Sequence, residues 1–400
     1  MLDKLSKIVS DRLFLLPLKS VIHLFISLIL LISLTACSLP KPVNANDRIF
    51  LPLTLEFLDL YELPKTTFKE TPVGGLSAIT YDRRSDRFYI LSDDRSNRAP
   101  ARFYTVKIDF QPQGDNDKIA LNNLKIEEVT FLQDETGNNY PPGTIDPEGI
   151  ALSPRGTVFI TSEGDPTKNI QPFIAEFELK TGQKKLDLPI PQHYLWNEDT
   201  ENPQGIQENL SFESLTIPTN GLLPDDPFRL FAANEASLLQ DREEINAETQ
   251  DKIRFLHYVI NPFGRPVLVA EHLYLLEPAS VETIANGLTE LMALDTDAYF
   301  LSLERTFGFT GAGAKIFQTI IGNATDTSNI ASLKGELNRV VPLKKQLLFD
   351  LQTLGMYIDN IEGMTLGPRL RDGSQSLILV SDDNFNEEQV TQFWLFRLKR

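Results

Sequence analysis

Acidic side chains recur through this 400-residue chain in a pattern that can do chemistry. Five segments share one order: a glycine or glutamate, an apolar strand, a polar turn, a second apolar strand, then acidic or amide groups. They are GGLSAITYDRRSDRFYILSDD (74–94), DPEGIALSPRGTVFITSEGD (146–165), FESLTIPTNGLLPDDPFRLFAANEAS (212–237), TELMALDTDAYFLSLERTF (289–307) and IEGMTLGPRLRDGSQSLILVSDDNF (361–385). The leading position holds Gly75, Glu148, Glu213, Glu290 and Glu362. The trailing position holds Asp93 and Asp94, Glu163 and Asp165, Asn234 and Glu235, Glu304 and Arg305, then Asp382, Asp383 and Asn384. Two like unit charges ~4 Å apart repel by roughly 4 kcal/mol at an effective dielectric of 20. Carboxylates gathered this way must take protons, pair with arginine or bind a hard cation. Ca²⁺, with its many oxygen ligands, suits them best, and Mg²⁺ comes second.

Composition narrows the chemistry further. A single cysteine excludes a disulfide framework and a thiolate-rich metal site, and four histidines leave little imidazole for a metal. Acidic residues outnumber basic ones 55 to 38, for a formal charge of −17. That disfavours nucleic acid as a partner, because phosphate contacts need clustered lysine and arginine. No G-x-S-x-G nucleophile elbow is present, and GFTGAGAK (308–315) lacks the lysine of a phosphate-binding Walker loop. The latter reads as a flexible loop between strands that overhangs the site. His257 and His272 fall in strand-like stretches and read as structural. His193 is loop-like, where a place at the channel mouth is open but not favoured. The polar loop 197–210 is expected to border the site as well, and 241–252 reads as a solvated acidic insertion.

The elements that position these groups are strands. From Gly75 through Glu148, Glu213 and Glu290 to Glu362 the steps are 73, 65, 77 and 72 residues, and each holds about four strand candidates. After Glu362 only three remain, MTLG, SLILVS and QFWLFRL, while FLPLTLEFLDL (50–60) is left over at the N-terminal end. Four-stranded units with a split last unit predict an all-β fold, a β-propeller closed by its N- and C-terminal strands. Counting gives five blades. The long steps leave six open. In such a ring the first strand of a blade lines the channel and the second runs back beside it, so leading and trailing positions share one rim.

The first 36 residues read as a targeting segment. Lys4, Lys7, Arg12 and Lys19 precede the apolar run VIHLFISLILLISL (21–34), too short for an ordinary membrane span. The run ends in LTAC, which resembles the lipobox of bacterial lipoproteins, with Cys37 as the lipidated residue. Removing 1–36 takes away four basic and two acidic side chains and shifts −17 to −19. Residues 37–48 then form a lipidated cysteine and a polar tether, and 49–400 a single propeller domain. The expected location is the periplasmic or cell-surface face of a membrane, held by the lipid anchor.

GGLSAI, LSDD, DPEGIA, SFESLTI, AANEASLLQD, LSLERTF, IEGMTL and LVSDDNF resemble, in order, the phytase-like esterase family. The resemblance runs from about Val73 to Arg400. It implies a calcium-using propeller that hydrolyses a phosphoester or related ester. By motif position it carries Asp146, Glu148, Glu213, Glu235, Glu304, Arg305, Glu362, Asp382, Asp383 and Asn384 into the site. With Asp93 added, the expected metal ligands are Asp93, Asp146, Glu148, Glu213, Glu235, Glu304, Glu362, Asp382 and Asp383. Glu148, Glu213 and Arg305 are the expected catalytic groups: a carboxylate as ligand or general base, the arginine steadying an anion. The chain departs from alkaline phytases in supplying few basic groups, chiefly Arg95 and Arg305, with Arg98, Arg102 and Lys315 nearby in sequence. A small-molecule ester substrate and a monomer are expected. The alternatives are a non-catalytic, calcium-stabilised propeller that binds a ligand or envelope partner, and a metal-dependent lactone hydrolase.

Overall fold

A computed structural model describes residues 49–112, 119–197, 201–218, 222–243, 249–278, 283–309 and 311–400. The targeting segment, Cys37 and the tether lie outside the described residues. The chain divides into residues 1–51 and a compact unit, Pro52–Arg400. That unit is built of strands, with four short 3-10 turns and no α-helix among the described residues.

Five four-stranded antiparallel sheets follow one another along the sequence. Blade one is Leu76–Asp82 (β4), Arg87–Ser92 (β5), Arg102–Pro112 (β6) and Ile119–Phe131 (β7). It follows Thr54–Leu63 (β1) and a small hairpin, Thr66–Phe68 (β2) with Thr71–Val73 (β3). Blade two is Pro147–Leu152 (β8), Thr157–Ser162 (β9), Phe173–Glu178 (β10) and Lys184–Asp187 (β11). Blade three is Phe212–Thr216 (β12), Phe228–Asn234 (β13), Lys252–Ile260 (β14) and Val267–Leu275 (β15). Blade four is Thr283–Ala293 (β16), Tyr299–Gly308 (β17), Gly311–Ile320 (β18) and Lys344–Asp350 (β19). Asn360–Arg369 (β20), Gln375–Asp382 (β21) and Thr391–Lys399 (β22) make three strands of blade five, and β1 supplies the fourth. The fold is a five-bladed β-propeller, and the described residues form no sixth blade.

Closure uses the strand left over at the N-terminal end. β1 pairs with β22 from Thr54 opposite Lys399 to Leu63 opposite Thr391. Phe57 meets Trp394 and Phe396, each at 5.7 Å between ring centroids. Apolar clusters fill the spaces between blades. Ile90, Val106, Ile378 and Phe393 join blade one to blade five, and Phe159, Phe212, Leu230 and Tyr258 join blade two to blade three. Middle strands are therefore covered on both faces. β9, TVFITS, is buried at every position.

The inner strands β4, β8, β12, β16 and β20 neighbour one another around the axis. Each has an open edge, whose N–H and C=O groups need partners other than a ladder. Each also carries a bulge, at Ser77, Glu148–Gly149, Glu213, Thr289 and Glu362. The hydroxyls of Ser77, Ser214 and Thr289 donate to the carbonyls of Glu148, Leu288 and Ile361 on the next inner strand. Where there is no hydroxyl, the strands approach directly. A β-carbon on Gly149 would lie 2.6 Å from the Glu213 carbonyl oxygen.

The register corrects one expectation. The bulge in blade four is Thr289, so Glu290 falls one residue past the rim position that Glu148, Glu213 and Glu362 occupy. Its equivalents are Ala78, Gly149, Ser214 and Gly363, all small. Glu290 fills the space they leave and is 2 % exposed. Its carboxylate accepts from the N–H groups of Leu215 and Leu291, and the Met364 N–H bonds it too. It thus staples three blades at the axis. Glu290→Ala leaves those amides without their acceptor and is expected to cost at least about 2 kcal/mol. Urea unfolding would measure it, and the loss should not depend on added calcium.

Candidate metal centre

The same register defines two rings at the mouth of the channel. The bulged positions supply Ser77, Glu148, Glu213, Thr289 and Glu362. Ser92, Ser162, Asn234, Glu304 and Ser381 pair with the residues just before the bulges, and the positions one residue past them supply Asp93, Glu163, Glu235, Arg305 and Asp382. Two residues before each bulge stand Gly75, Asp146, Ser211, Gly287 and Asn360. Eight carboxylates therefore face one cavity of about 400 Å³ or stand directly behind its wall, with an arginine in the fourth place of the second ring.

Arg305 serves as the counter-ion inside this group. Its guanidinium donates to Glu235 at 2.6 Å, and to Glu362 and Asn360. Arg95 donates to Asp146 at 2.6 Å and to Asn209 at 2.5 Å. Two arginines cannot neutralise eight carboxylates. Burial is the largest cause raising each of the others, with neighbouring carboxylates adding to it. Asp93, Glu148, Glu163 and Glu213 are all pushed well above the usual carboxylate range. Asp146 rises to about 6 against the pull of Arg95, Asp382 to about 7, and Glu362 to about 8 against the pull of Arg305.

Asp146, Glu148 and Glu163 are buried, and one carboxylate oxygen of each lies within 4.8 Å of the other two. One oxygen of Glu163 accepts from the Ser211 N–H at 2.5 Å, while the other is buried without a partner, as is Oδ1 of Asp93. All the donors are oxygens. Buried, converging, unpartnered carboxylate oxygens fit a hard divalent cation, which would complete them as protons otherwise must.

The structure brings Asp93, Asp146, Glu148, Glu213, Glu235, Glu362 and Asp382 together with Arg305. It does not bring Glu304 and Asp383 into the group. Glu304 pairs opposite Leu288 and turns away from the axis, where it accepts from the Tyr274 hydroxyl, the Glu277 N–H and the Lys345 ammonium. Asp383 accepts from Lys65 at 2.5 Å, from the Gly75 N–H and from the Phe385 N–H. Asp94 lines the cavity but is committed to buried Arg102 at 2.8 Å. Asp165 caps the Pro166–Lys168 turn and pairs with Lys168. Lys315 does not line the cavity.

His193 also lies elsewhere, 2.9 Å from Glu271 in a network around buried Arg254. His257 and His272 sit in β14 and β15. The glycine-rich stretch expected as a loop is mostly strand, with Gly308 pairing Gly311. Asn360 and the place of Glu163 in the triad went unread in the sequence. Their signal lies in the repeat: the residue after Ser92, Ser162, Asn234, Glu304 and Ser381 aligns as one column.

Without a cation the protonated carboxylates make stability fall with rising pH. Groups raised in the folded state bind protons that the unfolded chain has already released above about pH 4. That stability is lost as pH rises through the folded values of about 6, 7 and 8 for Asp146, Asp382 and Glu362. Melting in chelator should therefore drop continuously from about pH 5 to about pH 8. A flat profile, or a rise with pH, would contradict the assignment.

Similar solved structures include the endo-arabinase from Bacteroides thetaiotaomicron VPI-5482, 12% identical, with a TM-score of 0.38, covering 84% of this chain and 98% of that one. The Neurospora crassa Pan2 WD40 domain is 8% identical, with a TM-score of 0.30 over 86% and 95% of the two chains. At these values the likenesses carry no further argument. No curated protein matches the chain. The model of one family, described as phytase-like with esterase-like activity of phytase, matches residues 71–385, which include blades one to four and the two inner strands of blade five. The chain belongs to the phytase-like family.

Proposed function

We propose that the protein is an exported, lipid-anchored propeller whose mouth binds calcium and hydrolyses a phosphoester or related ester. The observation that carries this reading is the convergence of buried, partly unpartnered carboxylates on one open cavity. Asp146, Glu148 and Glu163 would hold the ion, with Asp93, Glu213 and Asp382 within the same cluster. Calcium, when bound, supplies a positive charge that polarises an ester oxygen and acidifies water at the site, and Mg²⁺ could supply the same.

The chain's own groups have separable tasks. Burial at the mouth is the main cause that raises the proton affinity of Glu213, and Glu163, Glu235 and Glu362 add to it. A carboxylate tuned upward in this way suits a general base near neutral pH. Glu148 belongs to the triad and feels the charge of Glu213, and it is suited to hold the ion or to pass a proton. Arg305 holds Glu235 and Glu362 in place, which leaves the remaining carboxylates for the ion. A mouth of bare carboxylates would repel an anionic ester, so calcium and substrate binding should be coupled.

A second reading has one observation in its favour: the mouth groups also tie blades together. Glu163 of blade two bonds the backbone before blade three, and Arg305 of blade four reaches blades three and five. A cation here would staple the ring even in a protein without turnover. A screen of phosphate, carboxylic and lactone esters, run with calcium and with chelator beside thermal melting, separates the two. The hydrolase reading expects calcium-dependent turnover that falls at least about 100-fold in Glu213→Gln. Glu304→Gln should lower stability and leave turnover per folded molecule unchanged. Calcium-dependent melting with no turnover on any ester class would favour the staple.

A further inference from the structure

Three arginines line the mouth among the described residues, and two are committed to carboxylates: Arg95 to Asp146, and Arg305 to Glu235 and Glu362. Arg98 differs. Its backbone N–H donates to Asp94, but its exposed guanidinium pairs with no carboxylate there and instead sits over the Phe385 ring, 4.6 Å from the centroid. In an acidic cavity, such a cation keeps its donors for something that arrives from outside.

The seat beneath Arg98 is built at a conformational cost. Asn384 and Phe385 both adopt left-handed backbone, with φ of 46° and 49°, a region that disfavours residues with a β-carbon. The neighbouring aspartates hold them there. Asp382 Oδ1 accepts from the Asn384 N–H at 2.8 Å, and Asp383 Oδ1 from the Phe385 N–H at 3.0 Å. Space for the ring comes from Gly74 and Gly75, because a β-carbon on Gly74 would lie 3.0 Å from it and one on Gly75 closer still. Strained backbone, two capping carboxylates and two glycines together place one aromatic ring at the mouth, and Arg98 rests on it.

We propose that Arg98 anchors the anionic group of the ligand entering the mouth, and that Phe385 is its positioning residue. This deepens the ester reading of the same cavity and rests on that cavity being a ligand site. A guanidinium over an aromatic ring keeps its N–H edges free for two parallel hydrogen bonds to an oxyanion. The recognised class is therefore an ester bearing a phosphate or comparable oxyanion. A neutral ester would leave Arg98 unused.

Calorimetric titration of phenyl phosphate into the full-length, calcium-loaded protein tests this. Arg98→Ala should weaken binding by about 10- to 100-fold, the range expected for hydrogen bonds to a charged group. Arg98→Lys should recover part of it, and Phe385→Leu should lose an intermediate amount. Calcium affinity and melting temperature of Arg98→Ala should match the parent, because the side chain holds no carboxylate. Arg98-dependent binding without turnover supports the anchor and counts against the hydrolase reading alone. Unchanged binding in Arg98→Ala, or no binding of phenyl phosphate to the parent at millimolar concentration, overturns the proposal.

Discussion

Like charges forced to one axis are the constraint around which this molecule is organised. A five-bladed ring turns the open edges of its inner strands toward the channel, and its register delivers the rim side chains of every blade to the same mouth. Four of the five rim positions on the second-strand side are carboxylates: Asp93, Glu163, Glu235 and Asp382. The fifth is Arg305. Placing a cation in the ring itself settles part of the repulsion locally and fixes Glu235 and Glu362 as its partners. What remains is concentrated on the side of Asp93, Asp146, Glu148, Glu163 and Glu213. That asymmetry, rather than total acidity, makes one sector of the mouth suited to a hard cation.

The rest of the fold supports this arrangement. Bulges in the inner strands let Glu148, Glu213 and Glu362 reach the mouth while the following residues pack between blades. One residue further along, the axis is closed by Glu290 acting on three backbone amides. Two carboxylate populations thus share the channel with different tasks: one balanced by fixed N–H groups, the other left for protons or a cation. β1 completes blade five, so the ring that bears the rim is held shut by a strand from the other end of the chain.

Much of this was legible in the sequence because blades are repeats. The three-strand remainder after Glu362, set against the unused FLPLTLEFLDL, was enough to foresee closure. Repeat spacing also located the rim. It could not resolve single residues, because consecutive positions of a strand face opposite ways and a bulge shifts the phase by one. Glu290 was misplaced for that reason, since Thr289 is the residue that bulges. Glu304 looked equivalent to the other acidic groups until register showed that Arg305 holds the place of Asp93 and Asp382. The strained Asn384–Phe385 turn left no trace in composition or periodicity. The glycine-rich stretch after Phe307 looked like a loop, whereas glycine there continues a tight strand pairing.

A cation that replaces protons should release them, and this is the most direct check on the mouth as a metal centre. Calcium titrated calorimetrically into chelator-treated protein near neutral pH, in two buffers of different ionisation enthalpy, reports both affinity and proton release. Saturable binding with net release of protons, lost or strongly weakened in Glu163→Gln, is the result predicted by buried, proton-holding carboxylates. Absence of binding, or binding without proton release and indifferent to Glu163, would contradict it.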